Sequence, residues 1–468
     1  MPRESWIPGV CDSSGWGSIS GCGAPAEYRP FLKGGHSLKR AVVLAGGGSR
    51  GAYQIGVWQA LRELGIEYHI VTGTSVGALN GAMMVQGDYD LALHLWQQLV
   101  TTDVVKAEID TTPPDYQDAH WEGEVWGRIM RQALKEGGLD FSPLEELMAR
   151  YTSEERLRSS PVDFGLVTVT YPSMQSRELR RDQIPEGQLT DFVVASAACF
   201  PAFKAKEIGE ERYIDGSYQD YMPVNLALSM GAEEVIAVDL KSVGQRRRTR
   251  RTAVPVQVIR SHWELGPFLW FEPSLSRRNI RLGYLDALRS FGKLDGSRYA
   301  LTPGEWTVFL AVAEEAMERL MPLIQLDSAL ARMGWRRLLQ ALSMQARHST
   351  PEALLLPAAE EAAALLRLDP LPVYSVGDFL SSLLDAARQQ LPEEGLSEQP
   401  VQNLELLSTD PLQRLGRVKQ LLAKGIQQED GTAFWKLALV APRETAAAGF
   451  LYLLEQLPAH WEEVLAHD

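Results

Sequence analysis

The pattern of apolar and polar positions changes character once along the chain, near residue 300. From Lys39 to about Asp239, short β-type apolar runs alternate with amphipathic segments. That alternation predicts a βαβ sheet with helices on its faces. The strands are read at Ala41–Ala45, His69–Thr72, Phe164–Thr170, Arg212–Ile214 and Val235–Asp239, with a further core strand at Val254–Ile259. Helices are expected over Ala52–Leu64, Val76–Gln86 and Val224–Met230, the last with Pro223 near its first turn. From about Leu301 onward the chain is rich in Leu, Ala, Glu and Gln, and β-type runs become scarce. Glu360–Leu368, Gly377–Leu391 and Leu412–Lys424 have the periodicity of amphipathic helices. Residues 1 to about 37 are rich in Gly, Ser and Pro without periodicity and read as a flexible tail. The expected organisation is a tail at 1–37, an α/β domain at 38–240, a basic and aromatic segment at 241–300 that completes or flanks it, and a helical region at 301–468.

Composition narrows the function classes. The 468 residues carry 45% hydrophobic and 23% charged side chains, as soluble globular proteins do. A net charge of −14 argues against nucleic acid as a partner. Three cysteines (Cys11, Cys22 and Cys199) are too few and too scattered for a disulfide framework or a metal cluster. The first residues lack an apolar signal region, and no apolar stretch is long enough to span a bilayer. The expected address is the cytoplasm, with any membrane contact peripheral.

The chemistry lies where two strands end. The run at Ala41–Ala45 breaks into Gly46-Gly47-Gly48-Ser49-Arg50-Gly51, and the next strand runs into Gly73-Thr74-Ser75-Val76-Gly77. The second is a G-x-S-x-G elbow, in which a serine on a sharp strand-to-helix turn exposes its hydroxyl. The first offers backbone N–H groups to a developing oxyanion, with Arg50 supporting the loop or meeting a phosphate. Only one helix and one strand fit between them, so both turns belong to one right-handed βαβ unit and emerge at one sheet edge. Of eight histidines none lies in a recognisable catalytic setting. Asp215, at a strand end in Tyr213-Ile214-Asp215-Gly216, is the better candidate base, provided that burial raises its proton affinity.

Bland readings stand beside these. Gly46-x-Gly48-x-x-Gly51 also fits a dinucleotide fingerprint, but Glu67, the acidic residue at the right offset, precedes the strand instead of ending it. A Ser-His-Asp hydrolase could use His262, although the spacing from glycine loop to elbow is short for that fold. Asp-Gly alone is commonly just a turn. Asp103–Trp126, with Pro113, Pro114, Trp121 and Trp126, reads as a surface loop or a lid. Lys241–Arg281 holds ten Lys/Arg against Glu264 and Glu272, and includes Arg246, Arg247, Arg248, Arg250 and Arg251 followed by Trp263, Phe268, Trp270 and Phe271. Such a mixture suits docking on anionic lipid; the plain alternative is a solvated arginine loop beside a buried aromatic cluster.

The motifs together resemble the patatin-like phospholipase family of Ser–Asp lipid acyl hydrolases. Gly46–Gly51 matches its G-G-G-x-[KR]-G, Gly73–Gly77 its G-x-S-x-G, and Asp215-Gly216 its D-G. A stretch from Ala195 and Ser196 to Pro201 and Phe203 matches a fourth element, and Met222-Pro223-Val224-Asn225 resembles bacterial members. The resemblance covers roughly Lys39 to Asp239. It implies a three-layer α/β/α sandwich, Ser75 as nucleophile, Asp215 as base and Gly46, Gly47, Gly48, Arg50 and Gly51 as the oxyanion-hole loop, without cofactor or metal. The expected activity is cleavage of fatty-acyl esters in phospholipids, lysophospholipids or related lipids. The alternative from another class is a non-catalytic lipid-binding protein on the same fold.

Overall fold

The computed structural model describes residues 38–106, 119–242, 244–249, 253–320, 327–344, 350, 352–391, 410–428, 430, 432–458 and 460–466. The expected tail, residues 107–118 of the Asp103–Trp126 segment, Arg250 and Arg251 lie outside the described residues.

Eight strands form one mixed sheet: β1 (Arg40–Leu44), β2 (Ile70–Thr74), β3 (Asp163–Tyr171), β4 (Ser176–Arg180), β5 (Lys206–Ile208), β6 (Glu211–Asp215), β7 (Glu234–Asp239) and β8 (Val256–Arg260). Their order is β5-β6-β3-β2-β1-β7-β8, with β4 also paired to β3. The strands β3-β2-β1-β7-β8 run parallel, while β4, β5 and β6 add antiparallel partners at one side. The central strands are buried along nearly their whole length, which is why they read as continuous apolar runs instead of alternating ones.

Helices cover both faces of β2. Val71 lies toward Gly81 of α2 (Val76–Gln86), whereas the Thr72 and Thr74 hydroxyls donate to the Pro223 and Asp220 carbonyls on the other face. The fold is an α/β/α sandwich. Helix α1 (Ala52–Glu63) connects β1 to β2, and α3 (Tyr89–Gln98) follows α2. The long helix Pro273–Ser290 packs along α1, where the Tyr53 hydroxyl donates to buried Asp286 at 2.7 Å.

A second apolar cluster begins at Tyr299 and runs to Leu465 through helices at Glu305–Leu320, Ala329–Ala341, Leu355–Leu365, Val376–Gln390, Pro411–Gln427, Ala433–Val440 and Pro442–Glu455. Trp263 packs against both clusters. Fully buried Glu360 accepts the backbone N–H groups of Ser297, Arg298 and Tyr299, which fixes the chain where it enters the helical region. Among the described residues no helix is long and apolar enough to cross a membrane.

Candidate active site

Leu44 of β1 pairs with Gly73 of β2, so the glycine loop and the elbow leave the sheet side by side. Ser75 has φ 56° and ψ −130°, a backbone conformation that a side-chain-bearing residue holds only when its surroundings enforce it. The flanking glycines explain how it is enforced. A Cβ on Gly73 would lie 2.1 Å from the Gly77 carbonyl oxygen, and one on Gly77 would lie 2.2 Å from that of Leu44. The turn can press against β1 only because both positions lack side chains.

The stretch Ala195–Phe203 braces this turn. Ser196 Oγ accepts the Ser75 N–H at 2.9 Å and donates to the Val167 carbonyl at 2.6 Å. The Asp215 N–H donates to the Ala198 carbonyl at 2.9 Å, and Gly216 N–H to that of Ser196 at 3.2 Å. Asp215, at the end of β6, is thereby carried into the cavity that Ser75 also lines, where the Ser75 hydroxyl favours its ionised form. The carboxylate also accepts the Ser217 N–H at 2.7 Å. Burial pushes the Asp215 carboxyl above its ordinary range, and Ser75 and Ser217 pull it only part of the way back. Asp215 is 4% exposed, the desolvation that an aspartate base would need.

The glycine loop divides into different parts. The Gly46 N–H donates to the Tyr221 carbonyl at 2.8 Å and is occupied within the fold. Ser49 and Arg50 tie the loop to the 266–268 backbone: Ser49 N–H to Phe268, Ser49 Oγ to Pro267 and Arg50 Nε to Gly266, all at 2.6–2.7 Å. Arg50 is 7% exposed, so of its two expected roles the loop support is the one seen. Gly51 opens α1, and a Cβ there would meet Val76 Cγ2 at 2.4 Å. Among the described residues the amides of Gly47 and Gly48 have no hydrogen-bond partner, and both line the same cavity as Ser75. An oxyanion can therefore be met by these two, and the expectation for Gly46 and Gly51 is narrowed to shaping the loop.

That cavity measures about 740 Å³ and contains Ser75 and Asp215. Its walls are apolar side chains of α2, α3 and Ser142–Tyr151, among them Leu79, Met83, Leu95, Trp96 and Met148. Phe268, Leu269, Trp270 and Phe271 also line it, and Phe271 stacks on Trp96 at 6.1 Å. The loop that carries these aromatics is bonded to Ser49 and Arg50, which sets them as cavity wall, with Phe268 and Trp270 still partly exposed. Arg247 pairs with Glu178, while Arg246 and Arg248 are exposed. His262 is exposed and does not line the cavity; Asp239 accepts the Lys241 N–H at 2.9 Å as a strand-end cap.

With this geometry in place, comparison with known proteins gives a consistent answer. The patatin-like phospholipase family model matches residues 42–228, a span that includes the glycine loop, the elbow and Asp215. Residues 42–228 are a patatin-like phospholipase domain. Patatin-like phospholipase domain-containing protein 7 of Rattus norvegicus is 29% identical over 220 residues, 45% of this chain and 14% of that protein. Lysophospholipase NTE1 of Phaeosphaeria nodorum is 27% identical over 297 residues, 58% of this chain and 18% of that protein. This chain thus spans less than a fifth of the length of these relatives. Among solved structures, VipD from Legionella pneumophila is similar at 13% identity with a TM-score of 0.33, covering 88% of this chain and 91% of that one, a score that carries no argument.

Within the patatin-like domain the sequence reading missed two contributors. Ser196 was seen as a motif residue, but its bond to the Ser75 N–H needs the β3–β6 pairing to be visible. Ser217, two residues after Asp215, is an Asx-turn partner that the Asp-Gly-Ser spacing could have signalled.

Proposed function

We propose that this chain is a serine acyl hydrolase that cleaves fatty-acyl esters of phospholipids, lysophospholipids or related lipids through Ser75 and Asp215. The observation that carries this reading is the buried Asp215 carboxylate in one cavity with Ser75 and the Gly47 and Gly48 amides, which have no hydrogen-bond partner among the described residues. Ser75 Oγ attacks the ester carbonyl as Asp215 takes its proton. The carbonyl oxygen becomes an oxyanion facing the two amides, which are fixed in advance by the bonds of Ser49 and Arg50. Collapse expels the alcohol, which receives the proton from Asp215, and leaves an acyl-serine. Asp215 then takes a proton from water, which attacks the acyl carbonyl; collapse releases the fatty acid as Asp215 returns the proton to Ser75 Oγ.

The cavity suits an acyl chain. Val76, Leu79 and Met83 form one face of α2, and the rise from Ser75 to Met83 is ~12 Å at ~1.5 Å per residue. The chain would lie along that face with its carbonyl at Ser75. Contact with an anionic membrane, where it occurs, would fall to the exposed Arg246 and Arg248.

A fluorophosphonate probe tests the reading directly. Covalent labelling lost in Ser75→Ala, together with ester hydrolysis in a screen of phospholipids, lysophospholipids, glycerides and short p-nitrophenyl esters, is the expected result. A folded protein that neither labels nor hydrolyses any of them would make it a lipid-binding module instead.

A further inference from the structure

The helical region contains a cavity of its own. It measures about 120 Å³ and shares no lining residue with the cavity at Ser75. Six helices converge on it, and its walls are nearly all aliphatic or aromatic, with Leu338, Leu422, Phe434 and Phe450 typical. One lining residue breaks the pattern. Trp435 is 2% exposed, and its indole N–H is buried without a hydrogen-bond partner. The ring is held in place: Phe434 meets it edge-on at 5.0 Å, and Gly334 on the facing helix leaves it room, since a Cβ there would lie 2.8 Å from Cε3. A clamped ring cannot swing its donor out to water, so the fold alone leaves that hydrogen bond unmade.

We propose that this cavity is a second ligand site for a small, neutral aliphatic molecule carrying one acceptor oxygen, which takes its hydrogen bond from Trp435 Nε1. The size follows from the volume, because an apolar cavity of about 150 Å³ holds a molecule as large as benzene. The acceptor follows from the one lining donor that is buried without a partner, Trp435 Nε1. Neutrality follows from the lining carboxylate, Asp430, which is held below its usual range by the Thr432 hydroxyl and N–H and by Lys436. Asp430 remains ionised at neutral pH and opposes an anion at the rim, so an alkanol fits and the corresponding carboxylate does not. The inference does not rest on the chemistry assigned to Ser75.

The test uses the full chain with ¹⁵N-labelled tryptophan, titrated with 1-hexanol, hexanoate at pH 7 and benzene. The indole resonance missing in Trp435→Phe identifies Trp435. Hexanol is expected to bind saturably and move that resonance, and hexanoate to leave it in place. Trp435→Phe should weaken hexanol by about three- to tenfold, the worth of one neutral hydrogen bond, with benzene binding unchanged. Ala358→Leu, which narrows the cavity from a different helix, should weaken both ligands. An unmoved Trp435 resonance, equal weakening of hexanol and benzene by Trp435→Phe, or hexanoate binding as well as hexanol would each overturn the proposal. Hydrolysis of a short ester by Ser75 is expected to be unaffected by either variant.

Discussion

The α/β part and the helical part are each organised around a buried apolar cluster, but they use buried polar groups for different ends. In the α/β part, Thr74, Ser75, Ser196, Asp215 and Asp220 are buried at one sheet edge, and Ser75 adds a strained backbone. In the helical part, the buried charges Glu360 and Glu361 bind Ser297, Arg298 and Arg443, while Ser328, Ser375 and Asp410 cap helix N-termini. One set completes secondary structure; the other departs from local preference and desolvates a carboxylate beside a hydroxyl. Departures of that kind are where chemistry is expected, since they oppose stability unless they serve it.

The largest effects should come from the departures themselves. Ser75→Ala should reduce ester turnover by several orders of magnitude and leave thermal stability unchanged or raised, because a residue at φ 56° gives up little packing. Near-normal turnover in a folded variant would remove Ser75 from the chemistry. Asp215→Asn should lower kcat by about 10²–10⁴, because an amide accepts no proton. It should also stabilise the fold at neutral pH. The folded-state pKa of Asp215 is raised, so its contribution to stability is complete below the unfolded-state pKa and is lost as pH rises through the folded one. Activity has the opposite sign, since only the ionised carboxylate is a base: kcat should fall on acidification through the raised pKa. A kcat flat across that range would contradict the assignment, as would an Asp215→Asn variant less stable than the parent at pH 7.

The two loop glycines separate folding from chemistry. A Cβ on Gly48 would lie 1.9 Å from the Phe268 carbonyl oxygen at a φ of +55°, so Gly48→Ala should displace the loop, costing about 1–3 kcal/mol of stability along with activity. A Cβ on Gly47 would meet the Ser242 hydroxyl and the Leu240 side chain, at 2.6 and 2.7 Å, which can give way more readily. Gly47→Ala should keep more of the fold than Gly48→Ala and lose up to about 2.7–4 kcal/mol of transition-state stabilisation, read as a lower kcat with KM largely retained. Equal melting temperatures for the two variants, or an unchanged kcat for Gly47→Ala, would break the distinction. A milder change is expected at the cavity wall: Met83→Trp should shift the preferred acyl chain toward shorter lengths while leaving short p-nitrophenyl esters alone. A uniform loss across chain lengths would place Met83 outside the acyl path.

Much of the contrast could be read before any coordinates. The expected helix at Val76–Gln86 coincides with the observed one, and the strand expected at Ala41–Ala45 is Arg40–Leu44, because buried parallel strands and a glycine-bounded elbow leave strong local signals. β4 was not legible: Ser-Arg-Glu-Leu-Arg has no apolar face to mark it, and only its pairing with β3 makes it a strand. The aromatic run at 268–271 was legible as apolar but not as cavity wall, since its direction is set by bonds to Ser49 and Arg50 more than 200 residues earlier. Helices such as Val376–Gln390 announced themselves by period, whereas the cavity between them depends on which faces meet.

The smallest expected effect tests the claim that the helical part is built on ordinary helix rules. Gly377 is the second residue of the helix Val376–Gln390, which Ser375 caps by accepting the Asp378 N–H at 3.0 Å. A Cβ at Gly377 would meet Leu465 Cβ at 3.6 Å and Ser375 Oγ at 3.9 Å, both ordinary contact distances. Nothing there requires a glycine. Alanine removes backbone freedom from the unfolded chain, so Gly377→Ala should raise stability by up to ~0.5–1 kcal/mol, read as a small rise in Tm with turnover unchanged. The same substitution at Gly73 or Gly77 would drive a Cβ into a carbonyl oxygen and disable the elbow. A loss of stability or activity in Gly377→Ala would mean that this helix start carries a constraint of the kind seen at Gly73 and Gly77, and the contrast between the two sites would fail.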